Sequence, residues 1–174
     1  ETAKDFDDAI CVCKLKGNII RLRVSIADVS HFVRPRSALD TEAYERATSV
    51  YFPTTVLPML PEALSNNLCS LRPHEDRFTM TAIVDIDSNG EVVKTEFCSS
   101  VINSKRRCTY TEIGKLLIDK DKQLQADFGE LYADVCLMEE CHNRLRKKRA
   151  KRGTIDFDLP EPQIIIDLQG EVEN

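Results

Sequence analysis

The stretch DFDDAICVCKLKGNIIRLRVSIAD, residues 5–28, holds two strand-like segments on either side of a tight-turn sequence. Apolar residues dominate positions near 9–15 and 18–28, and Lys16-Gly17-Asn18 lies at their junction. Asn and Gly accept the positive φ that tight turns require. We therefore predict that this stretch forms a β-hairpin.

Three carboxylates, those of Asp5, Asp7 and Asp8, occupy four positions immediately before the first predicted strand. Carboxylates this close repel one another unless a proton or a hard cation neutralises them, and oxygen ligands suit Mg²⁺ or Mn²⁺. In an extended chain Asp8 faces away from the other two, so convergence requires a bend after Phe6. A metal site that acts on phosphates and a solvated acidic segment both fit this pattern.

The remaining elements are predicted from apolar periodicity and from turn residues. A second hairpin is predicted through Ser88-Asn89-Gly90, and prolines break the region 56–73 into a loop with one helical turn. Together these elements predict an α+β fold with a mixed, mainly antiparallel sheet and flanking helices, as one domain over residues 1–174. The predicted hairpin strands are 78–87 and 91–103, the predicted helices are 40–48, 111–118 and 124–149, and the last predicted strand is 163–168.

Composition favours a globular domain. The 174 residues are 42% hydrophobic and 30% charged, which is enough apolar content for one core. No stretch approaches the ~18 apolar residues of a membrane span, so we expect no membrane association and take the cytoplasm as the default location. The seven cysteines contain no Cys-x-x-Cys pair, which argues against a zinc site and favours reduced thiols.

Charge distribution bears on whether the chain binds nucleic acid. The net charge of −5 is unusual for an RNA-binding protein, because phosphate neutralisation by Lys and Arg supplies much of the affinity. Two groups of basic residues offset the negative net charge locally. They are seven basic residues among positions 144–152, and Lys105-Arg106-Arg107. The first group also fits a solvated helix end that complements the helix dipole, and the second is better placed for phosphates.

Several motifs in a fixed order carry a family resemblance. Residues 3–10, AKDFDDAI, and 24–30, VSIADVS, resemble the opening of the catalytic (RNB) domain of the ribonuclease II and ribonuclease R family. The resemblance continues in the family's order and approximate spacing through most of the chain. The further matching segments are 50–53, 57–61, 64–71, 104–110 and 152–157.

The resemblance implies a processive, hydrolytic 3′-to-5′ exoribonuclease that uses Mg²⁺ to degrade single-stranded RNA to nucleoside 5′-monophosphates. Asp5, Asp7 and Asp8 match three of the family's four active-site aspartates, which bind metal and hold the terminal nucleotide. The fourth aspartate would lie just upstream of Glu1, and the family's Arg-rich motif and catalytic Glu would follow Asn174. We therefore expect an incomplete catalytic fragment, inactive alone, whose partners include the rest of the domain and flanking oligonucleotide-binding domains.

Three aromatic residues match family positions along the RNA path. The resemblance implies that Tyr51 and Phe157 stack on the base at the 3′ end and that Tyr110 helps to sense ribose. Each has another explanation from the residues alone. Tyr51 and Phe157 fit strand aromatics that pack on a core, and Tyr110 fits the start of a helix capped by Thr109 or Thr111.

Two other functions are compatible with parts of this pattern. A noncatalytic RNA-binding or assembly module could keep the same fold. The fourth aspartate before Glu1, and the Arg-rich motif and Glu after Asn174, would distinguish the enzyme from such a module. An unrelated metal-dependent phosphatase or nuclease could share the aspartate cluster, but it leaves the matches between Val50 and Leu71 unexplained. Asp28, at the end of the second predicted strand, is expected to cap the turn that follows.

Overall fold

The computed structural model describes residues 4–52 and 55–155, and in these two ranges the chain forms six strands and five α-helices. The fold is α+β, which confirms the predicted class. The strands are β1 (Asp8–Lys14), β2 (Ile20–Ala27), β3 (Val50–Tyr51), β4 (Val56–Leu57), β5 (Asp76–Ile86) and β6 (Val92–Asn103). The helices are α1 (Val29–Phe32), α2 (Ala38–Arg46), α3 (Tyr110–Leu117), α4 (Lys122–Phe128) and α5 (Leu131–Lys151).

Four strands form one sheet in the order β1-β2-β5-β6, and every neighbouring pair is antiparallel. Strands β3 and β4 form a separate two-stranded ribbon. The sequence anticipates a strand around Tyr51 but not its pairing with β4, which lies in the region predicted as a loop. The only parallel pairing in the described ranges is an isolated bridge between Pro73 and Ser104. The predicted final strand, 163–168, and Phe157 lie outside the described residues.

Both predicted hairpins are confirmed. Gly17 and Asn18 turn the first hairpin with φ values of 74° and 60°, in the left-handed region that glycine and asparagine tolerate. Gly90 turns the second hairpin with φ 81°. A Cβ atom built on Gly90 would lie 2.4 Å from the carbonyl oxygen of Arg144, so this turn packs directly on the backbone of α5.

Arg144 connects α5 to both hairpin turns. Its guanidinium donates to the backbone oxygen of Asn18 at 2.7 Å and to the Asn18 side-chain oxygen at 2.9 Å, and it also pairs with Glu140. Its carbonyl lies beneath Gly90. The prediction of a solvated basic helix end is therefore wrong for Arg144, which is buried because it satisfies the first turn's backbone.

Helix α5 covers one end of one sheet face. The buried residues there are Val12, Ile20, Ile86 and Cys141, with half-buried side chains of α5 packed against them. A second apolar cluster, which contains Ala27, lies on the other face of the sheet at the opposite end of the strands. Ala27 and Ile20 are an odd number of positions apart in β2, so their side chains point to opposite faces. A third cluster joins α3, α4 and the start of α5 around Leu116, Phe128 and Val135.

Two helix boundaries differ from prediction. The helix predicted from 124 to 149 is broken at Gly129, whose φ of 53° ends α4 before α5 begins. Helix α2 begins two residues earlier than the predicted start at Asp40, because the Ser37 side chain accepts from the Asp40 backbone N–H and caps the helix. The helical turn predicted in the proline-rich loop is present as a single π-type segment, Leu64–Leu68.

Within the described ranges, none of the helices combines the length and the apolar content needed to cross a bilayer.

Candidate functional site

The three aspartates lie on a short segment at the end of the sheet. Asp8 begins β1 opposite Ile26, and the carbonyl oxygen of Asp7 accepts from the Ala27 backbone at 2.9 Å. Asp5 precedes the strand and its backbone is not paired in the sheet. The chain therefore changes from irregular backbone to strand within the aspartate cluster. This change follows Phe6, where convergence of the three carboxylates would require a bend.

A buried serine fixes the other side of this segment. The Ser70 hydroxyl donates to the Lys4 carbonyl at 2.7 Å and accepts from the Phe6 backbone at 3.1 Å. The next residue of the loop, Leu71, donates its backbone N–H to the Phe6 carbonyl at 2.8 Å. Ser70 has no exposed surface, and Arg77 donates to its carbonyl. The proline-rich loop therefore holds the aspartate segment against the end of β2.

The Phe6 side chain anchors the segment between the acidic residues. Its ring packs in the cluster formed by Ala27, Leu64, Cys69 and Leu71. The guanidinium of Arg107 lies over the ring, 4.9 Å from its centroid, as in a cation–π contact. Arg107 thus brings a positive charge beside the aspartate segment, a role that the sequence analysis did not assign to this particular residue.

The carboxylates influence one another electrostatically. The pKa of Asp7 is raised, first by partial desolvation and then by the negative charges of Asp5 and Asp8. Asp7 is nevertheless an exposed residue. The pKa of the buried Cys69 thiol is also raised, chiefly by burial and then by the charges of Asp7 and Asp28.

The donor set suits a hard divalent cation, because all three side chains offer carboxylate oxygens and their repulsion would be relieved by positive charge. However, within residues 4–52 and 55–155 no three His, Cys, Asp or Glu side chains are arranged around a common metal position. The described part of the chain therefore supplies suitable ligands without a formed metal cage.

The predicted aromatic residues are distributed around the molecule. Tyr51 lies on the β3–β4 ribbon with 67% of its surface exposed, and Tyr110 begins α3 and is fully exposed. Thr109 caps α3, together with Glu112, in a reciprocal capping box. In the described ranges, no hydrogen bond or ring contact joins Tyr51 or Tyr110 to the aspartate segment. Phe157 lies beyond these ranges.

Asp28 and Arg106 each make local contacts. Asp28 caps α1 through the His31 backbone, as predicted, and also accepts from the Ser30 hydroxyl at 2.6 Å. Arg106, expected to be well placed for phosphates, instead stacks 3.9 Å above the Phe128 ring and pairs with Glu112.

We expect the Asp7→Asn variant to be more stable than the wild type at neutral pH and to show no such advantage well below pH 3.8. The pKa of Asp7 is higher in the folded state than its ordinary value of 3.8. Protonation of Asp7 therefore stabilises the folded state below pH 3.8, and this stabilisation is lost as the pH rises through the folded-state pKa. Urea unfolding at the two pH values measures the difference. Destabilisation of the variant at neutral pH that disappears well below pH 3.8 would show that the carboxylate makes a favourable contact instead.

Comparisons with known proteins address the family. The RNB domain family model matches residues 1–174. Ribonuclease R of Thermotoga maritima is 45% identical over 99% of this chain and 24% of its own length, and ribonuclease R of Escherichia coli is 44% identical over 99% of this chain and 21% of its own. The chain thus spans about a quarter or less of these curated relatives.

A solved structure shares the fold over nearly the whole of this chain. Mycoplasma genitalium RNase R in complex with ribose-methylated single-stranded RNA superposes with a TM-score of 0.86 at 32% identity, over 99% of this chain and 26% of that one. Sequence and fold agree over the same residues, including the aspartate segment and the loop that holds it. The chain belongs to the RNB domain family.

Proposed function

We propose that this chain carries part of the active site of a processive, hydrolytic 3′-to-5′ exoribonuclease that degrades single-stranded RNA to nucleoside 5′-monophosphates. The observation that supports this most is the aspartate segment, fixed between Ser70 and Ala27, in a chain related over its whole length to ribonuclease R. A rigidly held acidic segment suits hydrolysis of a phosphodiester because it keeps ligands in place without reorganisation.

Asp5, Asp7 and Asp8 are the residues that would hold Mg²⁺, with Mn²⁺ as an alternative. Such a cation, when bound, lowers the pKa of a water molecule and neutralises charge on the scissile phosphate. This chain's own contribution is to orient the three carboxylates. The hydrogen bonds from Ser70 to the Lys4 carbonyl and from Phe6 to Ser70 fix the backbone between them. Since no three side chains in the described ranges surround a metal position, further ligands come from outside those ranges.

The partners follow from the same relationship. The relatives are at least four times as long as this chain, so we propose that the rest of a catalytic domain and flanking oligonucleotide-binding domains complete the enzyme. On this basis the 174-residue chain alone would not degrade RNA.

Tyr51, Tyr110 and Phe157 are proposed to contact the RNA. Tyr51 suits stacking on a base, because two thirds of its surface is exposed on the short ribbon. Every base presents a π face, so stacking of this kind is tolerant of sequence. Tyr110 follows the Thr109 cap and projects fully into solvent, where its hydroxyl is free to contact ribose.

Replacing Tyr51 with Ala should weaken RNA binding by about 5- to 150-fold, the equivalent of about 1–3 kcal/mol for one stacked base. The measurement is the affinity for oligouridine in EDTA, with the longer protein that contains this chain. Tyr44→Ala is the matched control, since Tyr44 is 87% exposed and lies on α2 outside the family motifs. Equal losses in the two variants would remove Tyr51 from the binding surface.

A noncatalytic RNA-binding module is the second candidate, favoured by the lack of a formed metal cage in the described ranges. The experiment that separates the two is degradation of a 5′-labelled single-stranded RNA by the longer protein, with Mg²⁺ or with EDTA. Stepwise shortening from the 3′ end to monophosphates, dependent on Mg²⁺, supports the exoribonuclease. Binding without shortening supports the module.

A further inference from the structure

A basic groove lies between the second hairpin turn and the last turns of α5. It has a volume of about 300 Å³, at the lower end of the range for small-ligand pockets. Gly90 forms its edge, where the turn meets the backbone of α5. Its other lining residues are Val92, His142, Leu145, Lys148, Arg149 and Arg152.

The groove has an apolar floor and a basic rim. Leu145 packs against the core, and Val92 leaves 49% of its surface exposed at the start of β6. Lys148 pairs with Glu91, the residue that follows Gly90. The side chains of Arg149, Arg152 and His142 have no hydrogen bond or ion pair with any residue in the described ranges. Two guanidinium groups and an imidazole therefore remain available to a ligand.

Hydrogen bonding to the helix-end carbonyls does not occupy these side chains. The last carbonyls of α5 are already satisfied by backbone donors: Arg152 donates to the carbonyls of Lys148 and Arg149, and Gly153 donates to that of Ala150. The positive charge also contrasts with the net charge of −5 for the whole chain. Concentrated positive charge on an acidic protein indicates an anionic partner.

The groove is separate from the aspartate segment. Asp8 lies in register with Ile26 and Met80, whereas Gly90 follows Ile86 at the other end of β5. Ile86 lies six positions along the strand from Met80, which corresponds to about 20 Å. An RNA strand stacked at about 3.4 Å per nucleotide would cover this distance with about six nucleotides.

We propose that this groove binds single-stranded RNA at a second contact, distant from the aspartate segment. Arg149 and Arg152 contact backbone phosphates, and the floor formed by Val92 and Leu145 receives the face of one base. The choice of RNA rests on the proposed function, whereas the anionic character of the ligand rests on the groove itself.

The test is salt-dependent binding of a labelled oligouridine to the full chain in EDTA, so that no hydrolysis can occur. The groove variant is Arg149→Gln with Arg152→Gln. The matched control is Lys147→Gln with Lys151→Gln, which removes the same charge from residues of α5 that do not line the groove. Each single arginine variant is measured as well, and circular dichroism confirms that all variants fold.

We expect the groove variant to lower the slope of log affinity against log salt by about 1.4, since each lost phosphate contact on a single strand contributes about 0.7. Each single variant should lower it by about half of that. The control pair should change the slope little. Equal slopes for the groove and control pairs, or no binding by the wild type, would overturn the proposal. Equally effective competition by polyglutamate would overturn the assignment to RNA.

This result is distinguishable from failure of the proposed function. If the longer protein never cuts RNA but the groove variant loses affinity selectively, the groove stands and the exoribonuclease proposal fails. If the longer protein degrades RNA and the groove variant binds like the control, the exoribonuclease proposal stands and the groove proposal fails.

Discussion

Replacing Asp8 with Asn should reduce RNA shortening by the longer protein at least about 100-fold. Loss of an outer-shell partner of a metal ligand already costs 10–100-fold, and Asp8 is proposed to be a direct ligand. The substitution keeps the side chain's size, and the pairing of residue 8 with Ile26 involves only the backbone. The measurement is the initial rate of degradation of 5′-labelled RNA at saturating Mg²⁺.

Binding and a charge control make this result specific. Oligouridine affinity in EDTA should stay close to the wild-type value, because the defect lies in the metal site. Asp119→Asn removes the same charge from an exposed residue that follows α3, and it should retain full activity. If the wild type degrades RNA, an equal rate for Asp8→Asn would exclude Asp8 from the catalytic site.

Replacing Gly90 with Ala should destabilise the chain by about 3 kcal/mol. The backbone of Gly90 has φ 81°, which costs a residue with a Cβ atom about 1–2 kcal/mol. The new Cβ would also lie 2.4 Å from the Arg144 carbonyl oxygen, and overpacking of this kind costs about 1–3 kcal/mol. The turn has to move away from α5. The free energy of unfolding in urea measures the effect.

Gly17→Ala separates the two causes. Gly17 has a similar φ of 74°, but an added Cβ would meet no atom within 4 Å. It should therefore lose only the conformational part, about 1 kcal/mol. Losses of equal size at the two positions would show that the close approach of the second hairpin turn to the Arg144 carbonyl adds no cost to the substitution.

The two hairpins were predictable because their information is local. A strand alternates with a period of two residues, and glycine at a turn marks where the chain reverses. The broken helix was not predictable in the same way. Apolar residues continue at helical spacing through 124–149, and a single glycine is tolerated in many helices. Only the φ of Gly129 shows that the helix ends there.

The candidate site was predictable in part. The three carboxylates are close in sequence, so their mutual influence follows from spacing. The pKa of Asp7 is raised chiefly by desolvation and then by the charges of Asp5 and Asp8, and the second cause agrees with that spacing. Ser70 had a weak signal as a hydroxyl inside the apolar run Cys69-Ser70-Leu71. Its hydrogen bond to the Phe6 backbone joins residues 64 positions apart, and no local pattern encodes such a pair.

The sequence by itself determined the two hairpins, the acidic cluster and the family, because each depends on residues that are near neighbours or on motifs in a fixed order. Tertiary structure alone decided that Ser70 and Arg107 hold the aspartate segment and that Arg144 joins both hairpin turns to α5. It also brought the second turn against α5 to form the basic groove. These contacts depend on the packing of distant segments, which satisfies buried polar groups in ways that no single segment specifies.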